Sequence, residues 1–136
     1  AARTGEAGGL VRSWLGRTCP PAAVAADAEP VAPGARPGAA ARSRGRFTRN
    51  FVIQATAAEW ALVLLAALRT RLRGLAAHLV FFQHDEVLVH CPQDEVAAVC
   101  RAVEAAGEQA TRLLFGDSPV RFPLQLSAVG CYADAV

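Results

Sequence analysis

Residues 46–73 contain neither proline nor glycine and are built largely from Ala, Leu and Arg, with Glu59 near the middle. No other stretch narrows the possible folds as far. A run of good helix formers this long predicts one continuous helix that opens close to Arg46 and stops at Gly74. Within it, residues 51–68 (FVIQATAAEWALVLLAAL) have about the length of a membrane span. Gln54, Thr56 and Glu59 argue otherwise: a mid-span carboxylate costs on the order of 2.5 kcal/mol or more, and alanines return little of it. Arginines flank both ends with no sidedness bias. The expectation is a helix inside a soluble domain, with no membrane partner.

The rest of the chain is punctuated. With 136 residues it has sequence for one modest core. It starts at Ala1 without an apolar secretion signal, so an amino-terminal truncation is expected. Cys19, Cys91, Cys100 and Cys131 form no C-x-x-C pair and read as reduced thiols of a cytoplasmic protein. Residues 10–18 predict a strand or hairpin fragment. Residues 19–45 hold Pro20, Pro21, Pro30, Pro33 and Pro37 and predict an irregular connector, so residues 1–45 and 46–136 are expected to differ in organisation. After Gly74, HLVFFQ (78–83) and VLVHC (87–91) predict a hairpin with His84, Asp85 and Glu86 at its tip. Pro92 with Asp94 and Glu95 marks a helix start. The following helix should bury Val96, Val99, Cys100, Val103, Ala110, Leu113 and Leu114 on one side. Residues 120–129 predict a last strand, with Pro123 at an edge or strand start. The expected class is α+β, with helices packed on an antiparallel sheet.

Where could chemistry reside? A tip of two adjacent carboxylates on a stiff hairpin suits divalent-cation chemistry, because magnesium demands hard oxygen ligands in near-octahedral geometry. Neighbouring side chains on an extended chain point opposite ways, so one carboxylate should be the main ligand. The plain alternative is a solvated turn, where Asp and Glu are common. Arg46, Asn50 and Gln54 recur every fourth residue and line one stripe of the long helix, continued by Ala57 and Ala58. Such side chains can hydrogen-bond the minor groove, whose acceptors vary little with sequence, or form an ordinary solvated face. His78, His84 and His90 are evenly spaced, but a turn among them keeps them from converging on a metal. The net charge of +2 does not by itself point to nucleic acid, and every basic residue is Arg.

Two of these segments carry a resemblance. RNFVIQATAAEW (49–60) resembles the helix motif N-x-x-x-Q-G-T-A-A-[DE] of the family A (DNA polymerase I-like) DNA polymerases, and FFQHDEVLVHCP (81–92) resembles the third palm motif of that family. GLVRSWLGR (9–17) is similar to the segment that returns from fingers to palm, and Gly130 to the glycine of the last strand. The chain resembles in particular the actinobacterial bifunctional exonuclease/polymerase proteins. It departs from the pattern at Ala55, where the family has Gly, and at Phe82 and Gln83 before the histidine.

The resemblance implies a carboxy-terminal palm fragment that takes part in template-directed DNA synthesis by a two-metal mechanism. By it, Asp85 is a catalytic metal ligand, Glu86 an accessory acid near the metals, and His84 a contact to the primer terminus. Arg46, Asn50 and Gln54 hold primer-template DNA. The implied cofactor is Mg2+, in a two-metal site completed by residues that this chain lacks. The implied partners are primer-template DNA, deoxynucleoside triphosphates and the remainder of the polymerase chain. Two other readings share the motifs: a catalytically inactive polymerase remnant or interaction module, and another metal-dependent phosphoryl-transfer enzyme such as a nuclease.

Overall fold

A computed structural model describes residues 1–21 and 38–135, so Pro30, Pro33 and Pro37 of the expected connector lie outside the described residues. The fold is mixed α+β, with helices and two small antiparallel sheets. It divides into two compact units, Ala1–Glu59 and Trp60–Val136.

The first unit is organised around a close helix approach. A short helix α1 (Ala2–Glu6) places Gly5 against the fully buried Thr48 of the long helix α2 (Ala39–Arg71). A Cβ on Gly5 would collide with the Thr48 hydroxyl. That hydroxyl lies 3.0 Å from the Arg44 carbonyl and 3.3 Å from that of Ala1, so a buried polar group has its partners. Strands β1 (Val11–Arg12) and β2 (Thr18–Cys19) pair antiparallel, with Val11 opposite Cys19. Residues 10–18 thus contain a hairpin, as their pattern suggests. Val11, Cys19 and Ala55 are the buried apolar side chains of this unit.

Helix α2 begins at Ala39 rather than near Arg46. Its opening turns, AAARSR, consist chiefly of strong helix formers, and Gly38 at φ 76° turns the chain into them. Gly45, the last residue of the expected connector, sits inside the helix, and the side chain of Glu6 occupies the space that a Cβ there would need. Residues 39–45 are therefore helical and not connector. By length and composition α2 is apolar enough to cross a membrane. Its mid-helix Glu59 is buried, 5% exposed, and bound to the β1–β2 loop.

In the second unit the core joins Leu64, Ala67, Leu68 and Leu72 of α2 and its end with Ala77 and with Val99, Ala106 and Ala110 of α3 (Val96–Phe115). Gly74 follows α2 at φ 89°, the left-handed conformation that glycine takes without a steric penalty. Strands β3 (His78–Gln83) and β4 (Glu86–His90) pair antiparallel and lay Leu79, Val87 and Val89 on the core. The register shifts between Leu79 and Phe81, leaving Val80 as the extra residue of a bulge. A 3-10 turn, Gln93–Glu95, leads from Pro92 into α3.

Two expectations fail at the carboxy-terminal end. Residues 120–129 form no strand; Pro123 within them lacks an N–H donor, and the segment pairs with no described strand. The segment runs as irregular chain along α3. Phe122 stacks between Trp60 and Phe115, with ring centroids 5.5 and 5.3 Å away, and Leu124 covers Gly107. Trp60 also donates its indole N–H to the Thr111 hydroxyl at 3.0 Å. The second concerns α3. The buried residues of α3 are Val99, Ala106, Gly107 and Ala110, and Leu113 stands 66% exposed instead of joining that face.

Candidate functional site

The hairpin tip is tighter than the sequence suggests. Gln83 pairs with Glu86, so the loop is only His84 and Asp85, and Glu86 is already the first residue of β4. His84 has φ 56°, a left-handed conformation that costs a non-glycine residue about 1 to 2 kcal/mol. Two-residue loops need such geometry to match the twist of the flanking strands. The side chains of His84, Asp85 and Glu86 are all exposed.

The two carboxyl groups differ in their surroundings. The phenolic hydroxyl of Tyr132 donates a hydrogen bond to Glu86 Oε2 at 2.7 Å, from the short 3-10 turn Tyr132–Asp134. This bond to Glu86, then the repulsion between a phenolate and that carboxylate, raises the Tyr132 pKa above its ordinary 10.0. No described residue hydrogen-bonds Asp85, which therefore presents its oxygens to solvent. Tyr132 escaped the sequence reading. It stands 46 residues from Glu86, and no local pattern links them.

Among the described residues, no group of three or more His, Cys, Asp or Glu side chains is arranged to hold a metal ion. His78 and His90 are cross-strand partners at the open end of the hairpin, while His84 is at the opposite end. A cavity of about 350 Å3, lined by Arg69, Leu72, Arg73, Ala77, His78 and Leu79, also lies at the open end and not at the tip.

Arg46, Asn50 and Gln54 all belong to α2 and are all exposed, and their spacing puts them on one helix face within the first unit. The tip belongs to the second unit. Each set is thus presented by a regular element, the first by a helix and the second by a hairpin. On another face of α2, Glu59, five residues beyond Gln54, accepts bonds from the Ser13 hydroxyl and, at 2.9 Å, from the Leu15 N–H. Ser13 Oγ in turn accepts the Arg17 N–H at 3.0 Å, and Thr56 Oγ1 accepts the Trp14 N–H at 3.2 Å. The β1–β2 loop is thereby fastened to the helix about half a turn and about one and a half turns past Gln54. Sequence reading treated Glu59 as a motif position and as a cost in a membrane span; its partners lie more than 40 residues away.

This chain is similar to a DNA polymerase. It is 30% identical over 82 residues to DNA polymerase theta of Caenorhabditis elegans, a match that covers 60% of this chain and 5% of that protein. The chain thus spans a small part of the relative's length. No family model and no solved structure matches it.

Proposed function

We propose that this chain is the carboxy-terminal palm segment of a family A DNA polymerase and serves template-directed nucleotidyl transfer to a primer 3′-hydroxyl. The observation that carries the reading is a two-residue β-turn that exposes Asp85 beside Glu86, in a chain similar to a DNA polymerase.

The donor chemistry fits magnesium. Carboxylate oxygens are the hard ligands that this cation prefers, and a turn clamped by paired strands holds them more rigidly than a free loop does. Asp85 is the proposed ligand and Glu86 the accessory acid. Since no third acidic, histidine or cysteine side chain joins them among the described residues, the two-metal site takes its other ligands from the rest of the polymerase chain. When bound, magnesium supplies charge stabilisation to a phosphoryl group and activation of an attacking hydroxyl.

The chain's own residues then have separable tasks. His84, fixed by its left-handed backbone, contacts the primer's terminal nucleotide. Arg46, Asn50 and Gln54 donate to minor-groove acceptors of primer-template DNA; purine N3 and pyrimidine O2 are shared by most pairs, so the contact is nearly independent of sequence. The deoxynucleoside triphosphate is the second substrate, and the cytoplasm the expected location. The exposed Val80, Phe81 and Phe82 of β3 suit a hairpin that gains further packing from the remainder of the palm.

The test is Asp85→Ala in the polymerase chain that contains this segment. Incorporation should fall by a factor of at least about 1000, while affinity for duplex DNA stays within about threefold, because a metal ligand acts on the chemical step. Lost DNA affinity with retained turnover would reverse the assignment.

A further inference from the structure

We propose that the cavity at the open end of the β3–β4 hairpin binds a phosphate monoester of about mononucleotide size, its phosphate held by Arg69, Arg73 and His78. The proposal goes beyond the polymerase reading and stands without it, since the cavity lies at the opposite end of the hairpin from Asp85.

Three nitrogen-bearing side chains and three apolar ones line the space of about 350 Å3, and no acid is among them. Arg69 belongs to the last turn of α2, and Arg73 to the turn that closes it, where the Arg73 N–H bonds the Thr70 carbonyl at 3.3 Å. About one helical turn apart, the two guanidiniums are neighbouring like charges, which repel unless an anion stands between them. Their side chains and that of His78 have no hydrogen-bond or ion-pair partner among the described residues, whereas Arg71, between them in sequence, is bonded to Gln109 at 2.9 Å. Arginines at the carboxyl end of a helix ordinarily answer its negative dipole, and that role needs no cavity. Here they border one whose apolar side, Leu72, Ala77 and Leu79, is buried or half-buried. His78 reaches the same space from β3, where its pairing with His90 fixes its place. Two guanidiniums and an imidazole offer donors to three oxygens at once, the number that a phosphate monoester presents and one more than a carboxylate has. The volume leaves room for a ring against the apolar side, as in small-molecule sites generally.

Isothermal titration of the 136-residue chain with thymidine monophosphate tests this, with inorganic phosphate and a short DNA duplex as comparison probes. Thymidine monophosphate should bind more tightly than inorganic phosphate, because only the ester places a ring on the apolar side. Arg69→Gln combined with Arg73→Gln should weaken its binding at least about tenfold, and His78→Ala about threefold, the scales of lost charged and neutral hydrogen bonds. All three side chains are exposed, so these changes remove no buried contact. Arg121→Gln, at an exposed arginine outside the cavity, should leave affinity within about twofold. The proposal is overturned if thymidine monophosphate binds no more tightly than inorganic phosphate, if either cavity variant leaves its affinity unchanged, or if Arg121→Gln weakens it as much as the paired substitution. It is overturned too if the arginines are needed for the duplex and not for the nucleotide, which would make them contacts to a DNA backbone. Asp85→Ala judges the polymerase reading separately.

Discussion

Glu59 and Glu86 carry the same functional group, and what surrounds each decides its role. Glu59 is buried and accepts the Ser13 hydroxyl and the Leu15 N–H, so it fastens a loop to a helix. Removing it orphans the buried Ser13 hydroxyl and the part-buried Leu15 N–H, and a buried donor left without an acceptor costs about 1 to 3 kcal/mol. Glu59→Ala should therefore lower unfolding stability by at least that amount in urea denaturation, and Glu59→Gln, which keeps an acceptor, by less. Glu86 is exposed and tied to Tyr132 alone among the described residues. The raised Tyr132 pKa gives a pH signature. The phenol must keep its proton to donate, so the bond's contribution is complete below the ordinary 10.0 and is lost as pH rises through the higher folded value. Tyr132 is the chain's single tyrosine, which makes its ionisation readable as tyrosinate absorbance. The midpoint should lie above 10.0 and return towards it in Glu86→Ala.

At the scale of elements, the ends of helices and strands set where functional side chains stand. Helix α2 is terminated by Gly74 at φ 89°, and no atom lies within 4 Å of the place where a Cβ would be. Gly74→Ala should thus meet no clash, yet should cost about 1 to 2 kcal/mol through backbone conformation alone, measurable as a shifted denaturation midpoint. The same handedness at His84 closes the β3–β4 loop in two residues and commits Glu86 to the ladder. The carboxy-terminal segment is the element least like its sequence pattern. Its apolar residues serve as plugs for α3, with Phe122 on Phe115 and Leu124 on Gly107, where a strand would need the N–H group that Pro123 lacks.

For the molecule as a whole, the proposed palm-segment reading expects the metal ligands beyond Asp85 and Glu86 to come from the rest of a polymerase chain, since the acidic tip gathers no third one among the described residues. Primer extension with the isolated 136 residues, magnesium and all four deoxynucleotides should give no incorporation above background. Extension above background would show a complete active site within these residues. Hydrolysis of the DNA instead would favour a nuclease. The sequence by itself determined the α+β class, the long helix and its stop at Gly74, the two hairpins, and the residues 46, 50, 54 and 84–86 as those to examine. These rest on local physics: backbone preference, apolar periodicity and turn chemistry act within a few residues. Only the tertiary structure decided that Gly45 continues a helix, that residues 120–129 pack as irregular chain, that Glu59 clamps a loop, and that Tyr132 bonds Glu86. Each of these depends on a partner far along the chain, and a one-dimensional pattern has no term for which distant side chain will occupy a given space.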